Sequence, residues 1–301
     1  KNLIRRGLLA CPGFEALCRT LTRRHVRAVM FHRFCREGAS DSRCLDRATL
    51  ERQVRHLARH HAAWTPDQQL EALQGRSWPG GLCPFVVTVD DGHLDFAEIA
   101  FPIFRDHGIP VMFFVVTDFV DGAMWFWWDQ IEYVLQRAEA RVWDVDLGDA
   151  GTALDLRSDR GRVQAWDRIT DRGRLLPDED KRRLVESVAE SLDVIVPDEP
   201  PPEYAPVAWA DLEWMVEEGL LIGAHTKTHV ILSRESKERA SEEIHESRAE
   251  LERRVQRPVT WFCYPQGQAV DYNQTVRDIV EQGFRGCYVA YQTPPNPEDP
   301  M

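Results

Sequence analysis

The sequence predicts an α/β fold built on a parallel sheet that closes like a barrel. Short apolar segments alternate with amphipathic helical segments along the chain, and this alternation is typical of parallel sheets. The apolar segments are continuous, as expected of strands that are covered on both faces. Six such segments occur, which favours a barrel-like closure over an open two-layer sheet.

Turn residues bound several of these elements. Pro84 precedes the most β-branched segment, while Gly108 and Pro110 end the helix that follows it. Strands are predicted near 28–31, 85–89, 111–116, 220–224, 259–264 and 287–291. Helices are predicted near 46–61, 94–108, 209–219, 235–256 and 276–283.

One region breaks the alternation. Residues about 122–207 contain helical patterns and acidic loops but no convincing strand, and they end in the Pro-rich stretch 197–202. We therefore predict a helical insertion in a barrel that spans 28–291. An amphipathic helical segment (1–27) precedes this barrel, and a Pro-rich tail (292–301) follows it.

Composition and charge exclude some function classes. The 301 residues carry 37 basic and 49 acidic side chains, a net charge of −12, so a broad basic surface for nucleic acid is not expected. No apolar run reaches the ~18 residues of a membrane span. Leu8–Cys11 resembles a lipoprotein cleavage box, but its apolar run is too short, and an amphipathic helix is favoured. Nothing in the sequence predicts the oligomeric state.

The cysteines favour a reducing compartment. There are seven, an odd number, scattered without a CxxC pair, which argues against a disulfide framework. A cytoplasmic location is the resulting expectation. An extracytoplasmic one stays open if a signal was removed before Lys1.

Two carboxylates follow the predicted strand at 85–89. Asp90 and Asp91 come where the strand ends, and Gly92 allows the backbone to bend so that both can approach one centre. Neighbouring carboxylates repel, so one tends to hold a proton or bind a cation. A simple Asp-Asp-Gly turn is the alternative.

Two histidines follow the predicted strand at 220–224. His225 and His229 are four residues apart, which places both imidazoles on one face of a helical turn and suits two nitrogen ligands on one metal. One carboxylate with two histidines makes an open three-ligand site. The second carboxylate can then deprotonate a water.

A third strand end contributes a turn. Pro265 and Gly267 bound an exposed turn after the strand at 259–264, and its N–H groups could stabilise an oxyanion. A plain surface turn is the alternative.

These motifs resemble those of the polysaccharide deacetylases with NodB homology, carbohydrate esterase family 4. The segment 88–92 resembles the TFDDG motif, with Val89 for Phe, and 225–229 matches H-[ST]-x-x-H. Asp95, Pro102 and Phe113-Phe114 also fit. The resemblance covers roughly 28–291 outside the insertion. It implies a distorted (β/α) barrel, a divalent metal that is usually zinc, and hydrolysis of N-acetyl groups on amino sugars of a glycan.

The resemblance also implies residue roles. Asp90 would be the general base, and the metal would be held by Asp91, His225 and His229. The metal would polarise the acetamide carbonyl and acidify a water whose proton Asp90 accepts. The oxyanion would lie near the turn that contains Tyr264 and Gln266, most simply at the Gln266 N–H.

Two departures from the family pattern stand out. Cys263 occupies the position of an Arg that often holds the base, and the C-terminal Leu-x-His that supplies the general acid is missing. His32, after the first strand, resembles the YHR-like strand of exopolysaccharide deacetylases whose barrel order is permuted, and we prefer it as general acid. His93 is the second candidate.

Four consecutive aromatic residues, 125–128, open the insertion. Sugar rings stack on such faces. Trp125 is the predicted glycan contact, while Trp128 is assigned to the core of the insertion.

Three functions are therefore weighed. The first is a metal-dependent N-deacetylase of polysaccharides or their precursors. The second is a hydrolase of small cyclic amides on the same scaffold. The third is a non-catalytic glycan-binding relative, suggested by the missing histidine and by Cys263.

Overall fold

The computed structural model of the protein describes residues 26–36, 43–75, 82–145 and 152–290. The predicted helical segment up to residue 25 and the predicted tail lie outside these residues. The strands are β1 (Arg27–Phe31), β2 (Phe34–Cys35), β3 (Leu45–Asp46), β4 (His61–Ala63), β5 (Cys83–Val89), β6 (Val111–Val115), β7 (Val142–Val145), β8 (Thr152–Asp155), β9 (Leu221–Ala224), β10 (Trp261–Cys263) and β11 (Gly286–Tyr288).

The helices surround this framework. They are α1 (Arg47–His60), α2 (Pro66–Leu73), α3 (Phe101–Asp106), α4 (Thr117–Val120), α5 (Trp127–Arg137), α6 (Asp159–Gly173), α7 (Asp178–Ser191), α8 (Trp209–Glu217), α9 (Lys237–Val255) and α10 (Gln274–Gly283). A π-helical turn, Phe96–Ala100, leads into α3.

The central sheet has seven parallel strands. Six follow the order β1-β5-β6-β9-β10-β11, and β4 pairs with the first half of β5. The carboxyl ends lie level, because Val89 is opposite both Phe31 and Phe113, and Ala224 is opposite Val115. Polar residues that follow these strands therefore meet at one mouth. The predicted distorted parallel (β/α) barrel is confirmed, as a strongly curled, open sheet.

Successive side chains of β5 point to opposite faces of the sheet. Phe85, Val87 and Val89 pack in the core beneath the outer helices, whereas Val86 packs in a separate cluster inside the curl. Because successive side chains alternate, Asp90 continues the inward series. The interior is so tight at Gly223 that a Cβ there would lie 2.4 Å from the Phe114 ring.

Helix α2 covers the gap between the two ends of the sheet. The Tyr288 hydroxyl of β11 donates to Gln69 Oε1 at 2.5 Å, and Arg285 pairs with Asp67 at 3.0 Å. No ladder joins β1 to β11 in the described ranges. Sequence analysis missed α2, although Thr65 and Gln68 form a capping box at its start.

The insertion has a core of its own. Helices α5, α6 and α7 and the antiparallel hairpin β7–β8 enclose a hydrophobic cluster separate from that of the barrel. The expectation of an insertion without strands was wrong. Each strand of the hairpin has only four residues, too few for periodicity to register among charged neighbours.

The structure pairs Cys35 with Cys44 in a disulfide, so the expectation of unpaired thiols was wrong for these two. Parallel pairing of β2 with β3 sets Phe34 opposite Leu45 and brings the two cysteines together, which their scattered spacing does not reveal. Cys83, Cys263 and Cys287 are not part of this disulfide. Disulfides are rare in reducing compartments, and the cytoplasmic location stays a prediction.

Among the helices that the structure describes, none combines the length and apolar character that crossing a bilayer requires. This agrees with the absence of a long apolar run in the sequence.

Candidate active site

A cavity of about 510 Å³ opens at the carboxyl ends of the strands. It brings together most of the residues singled out from the sequence, but neither Trp125 nor His93 lines it. Those that line it are His32, Asp90, Asp91, His225, His229, Tyr264 and Gln266. The level strand ends place them there, since each follows a strand of the sheet.

Three buried side chains converge as a ligand set. Asp91 Oδ1 lies 3.7 Å from His225 Nε2 and 3.5 Å from His229 Nε2, and all three are suited to hold one metal ion. His225 Nδ1 lies 2.7 Å from the carbonyl oxygen of Cys263. Nδ1 must therefore carry the proton, which leaves the Nε2 lone pair facing Asp91.

Both imidazoles are held in their neutral form. Burial lowers the pKa of His225 to about 4, and burial together with the neighbouring His225 lowers the pKa of His229 well below its usual range. Neutral imidazoles and a carboxylate are donors that divalent metals bind. The chemistry of this set therefore fits a cation.

Unusual backbone angles aim these ligands. Asp91, Thr226 and His229 have φ values of 81°, 65° and 60°, in the left-handed region that non-glycine residues rarely adopt. A hydrogen bond from the His229 N–H to Thr226 Oγ1, at 3.0 Å, closes the histidine loop. Such strain is typical of functional sites.

Asp90 lies beside the ligand set with an unused acceptor. Its Oδ2 accepts from the Cys263 thiol at 3.7 Å, whereas its buried Oδ1 has no hydrogen-bond partner. Burial raises the pKa of Asp90 to about 7, the His32 imidazole opposes this rise, and the Asp91 carboxylate adds to it. A carboxylate with this pKa is matched to proton transfer near neutrality.

His32 and His93 lie in different environments. His32 is at the end of β1, half-exposed, with Nε2 3.9 Å from Asp90 Oδ2. His93 is buried outside the cavity, with Nε2 2.8 Å from Asp129 Oδ2. Because His93 is buried and does not line the cavity, the structure does not support it as the general acid.

The turn after β10 reaches the cavity. Gln266 has a φ of 61°, and its N–H donates to no acceptor found in the described part of the chain. The Tyr264 ring stacks on Tyr272 at 4.4 Å between centroids. Gly267 is required here, because a Cβ would lie 2.5 Å from the Ala290 nitrogen.

The aromatic wall differs from the prediction. Trp125 is buried in a cluster with Phe126 and Tyr204 and does not line the cavity. The side chains that do line it are Trp127, Trp128 and Trp166. The first two of the four aromatics, Trp125 and Phe126, are in the core, and the last two line the cavity, because α5 begins at Trp127. The order of the four residues alone does not reveal this division.

Sequence reasoning also missed a buried ionic network behind the site. Arg33, next to His32, donates to Asp95 Oδ2 at 2.7 Å and lies 3.6 Å from Asp129 Oδ1. Asp129 belongs to α5 and also contacts His93. The network ties the first strand to the insertion, and no motif signals it because its members are far apart in the chain.

Comparison with known proteins gives a consistent picture. The family model for polysaccharide deacetylase matches residues 185–285, and no curated protein matches. IcaB from Ammonifex degensii superimposes with a TM-score of 0.56 at 18% identity, covering 88% of this chain and 83% of that one.

Two further solved structures share the fold. The Streptococcus pyogenes deacetylase PplD in complex with acetate has a TM-score of 0.55 at 14% identity, covering 87% and 82% of the two chains. The BpsB deacetylase domain from Bordetella bronchiseptica has a TM-score of 0.54 at 14% identity and covers 91% of both. The matched family model makes the chain similar to the polysaccharide deacetylases over residues 185–285, and these solved structures show that the likeness in fold extends over most of its length.

Proposed function

We propose that the protein is a metal-dependent hydrolase that removes N-acetyl groups from the amino sugars of a polysaccharide or its precursor. One observation carries this proposal: a buried set of two neutral imidazoles and a carboxylate lies beside a second carboxylate with a free oxygen. Ligands and base are separate groups, as water-activating hydrolases require.

Asp91, His225 and His229 would hold the metal. When bound, a divalent cation such as zinc polarises the acetamide carbonyl and acidifies water. Its positive charge would also lower the pKa of Asp90 and keep that carboxylate ionised. Metal identity depends on availability as well as on the ligands.

The residues of the chain supply the proton transfers. Asp90 Oδ1 accepts a proton from the attacking water while the oxygen of that water bonds to the acetyl carbon. The Gln266 N–H donates to the oxyanion that develops. His32 then gives a proton to the amine as the C–N bond breaks, so that acetate and a free amino sugar result.

The aromatic wall favours a sugar substrate over a small cyclic amide. Trp127, Trp128 and Trp166 border a cavity that is open to solvent and is partly lined by polar side chains of α6. Indole faces pack against the C–H surface of sugar rings, and an open cleft admits a chain. Acetylated amino-sugar oligomers are therefore the proposed substrates.

Acetate release from N-acetylated oligosaccharides, measured together with metal content, tests the proposal. We expect one equivalent of divalent metal per chain, loss of activity with a chelator, and recovery on adding zinc. An Asp91→Asn variant should lose the metal. Full activity in the metal-free protein, or hydrolysis of small cyclic amides with no acetate release from the oligosaccharides, would overturn the proposal.

A further inference from the structure

A fully buried carboxylate lies behind the histidine loop, outside the set of groups given a role so far. Glu243 is on α9 and has no exposed surface. It falls on the inner face of that helix, three residues after Ala240 and next to Ile244, both buried. An acidic residue on an apolar helix face needs specific partners to offset the cost of burial.

Its partners are in the loop that carries the two histidines. Glu243 Oε2 accepts from the N–H groups of Lys227 and Thr228 at 2.9 and 2.8 Å, and Oε1 accepts from the Thr228 hydroxyl at 2.6 Å. Arg239 pairs with Oε1 at 2.6 Å. Every contact to the loop is to a residue between His225 and His229.

This arrangement fixes a strained segment. Thr226 and His229 both have positive φ, a conformation that is energetically unfavourable for non-glycine residues. Two N–H groups of the loop, in the part-buried residues Lys227 and Thr228, have Glu243 as their acceptor. Without Glu243 they would lose this acceptor, and the loop would relax toward ordinary backbone angles.

We propose that Glu243 is a positioning residue, which holds the 225–229 loop so that the two imidazoles face Asp91. It contacts neither substrate nor metal and acts through the backbone between the histidines. The inference rests on the proposed metal site and adds to it a determinant of metal affinity.

Co²⁺ binding to the metal-free full chain tests this role. Affinity and the visible spectrum of bound Co²⁺ report on ligand geometry without requiring catalysis. Glu243→Ala should weaken binding by about 10- to 100-fold, as loss of groups that orient ligands does, and should alter the spectrum. Glu243→Gln retains one acceptor oxygen, so we expect a smaller loss of about 3- to 10-fold.

Glu246 provides the matched control. It is on the same helix, carries the same charge and contacts the same loop, but through the Lys227 ammonium group at 2.7 Å and at the surface. Glu246→Ala and Glu246→Gln should leave Co²⁺ affinity and spectrum unchanged. If Glu243→Ala does not fold, Glu243→Gln and Thr228→Val, which removes only the hydroxyl contact, complete the series.

The outcomes separate the inference from the proposed function. If the parent protein binds no Co²⁺, the metal site itself fails. If the parent binds Co²⁺ and the folded Glu243 variants match it in affinity and spectrum, the positioning role is overturned. A graded loss, Ala greater than Gln, with unchanged Glu246 variants supports it.

Discussion

The barrel mouth and the insertion wall face the same cavity but are built differently. Asp90, Asp91, His225 and His229 follow strands and are buried, and positive φ values at Asp91, Thr226 and His229 aim the ligands. Trp127 and Trp128 come from a helix with its own core and are only partly buried. The barrel therefore holds the reactive groups, while the insertion shapes the opening through which a substrate enters the cavity.

The largest expected effect is on the barrel side. Asp90→Asn should lower kcat by about 10²- to 10⁴-fold, because it removes the proton acceptor and leaves the metal ligands intact. Acetate release measured at equal metal content checks this. A variant that keeps parental kcat would show that the mouth has no base at Asp90.

Asp90→Asn should raise the free energy of unfolding at neutral pH, although it lowers kcat. In the metal-free protein the pKa of Asp90 is raised by burial from 3.8 to about 7, so folding binds a proton between these values and stability falls as pH rises through them. The asparagine side chain has no proton to lose in this range, so the Asp90→Asn variant does not lose stability as the pH rises from 3.8 to about 7. Chemical denaturation should show equal stability below about pH 4 and a gain of about 2–4 kcal/mol above pH 7.

His32→Gln should have an intermediate effect. We expect kcat to fall by about 10- to 100-fold, less than for Asp90, because water reaches a half-exposed imidazole and can replace it in part. The measurement is kcat on an acetylated amino-sugar oligomer. His93→Gln is the control: it should change stability through Asp129 while kcat per folded molecule stays near the parental value.

The smallest effects are expected in the insertion, where two tryptophans provide a direct contrast. Trp128→Leu should raise KM by about 2- to 10-fold through lost stacking, at unchanged metal content. Trp125→Leu should leave KM unchanged and lower the unfolding free energy by about 1–3 kcal/mol. Equal KM effects at both positions would contradict the division between wall and core.

The two regions also differ in how far the sequence predicts them. The continuous apolar strands and the polar residues that follow them lead to the barrel and its mouth. The carboxyl ends of parallel strands lie at one edge of the sheet, and the predicted barrel-like closure brings Asp90 after β5 close to His225 after β9, although β6 lies between them. Confirmed strand positions differ from the predictions by only a few residues at each end.

The remaining features depend on contacts between residues far apart in the chain. The Cys35–Cys44 disulfide follows from the pairing of two-residue strands. The contact of Cys263 with Asp90 depends on the curl of the sheet, since β6 and β9 lie between β5 and β10. In the aromatic run, burial is decided by where α5 begins. Of these long-range contacts, only those of Glu243 are indicated by the sequence, because it is an acidic residue on an apolar helix face.

The strained backbone at the mouth has a consequence for engineering. Of the six non-glycine residues with positive φ in the described chain, four line or border the cavity: Asp91, Thr226, His229 and Gln266. Glycine at such positions would relieve local backbone strain, and such relief is one way to raise thermal stability. At Asp91 and His229, however, glycine would remove a proposed metal ligand, and at Thr226 and Gln266 it would loosen the histidine loop and the turn donor. Thermostabilising changes are therefore better made in the outer helices.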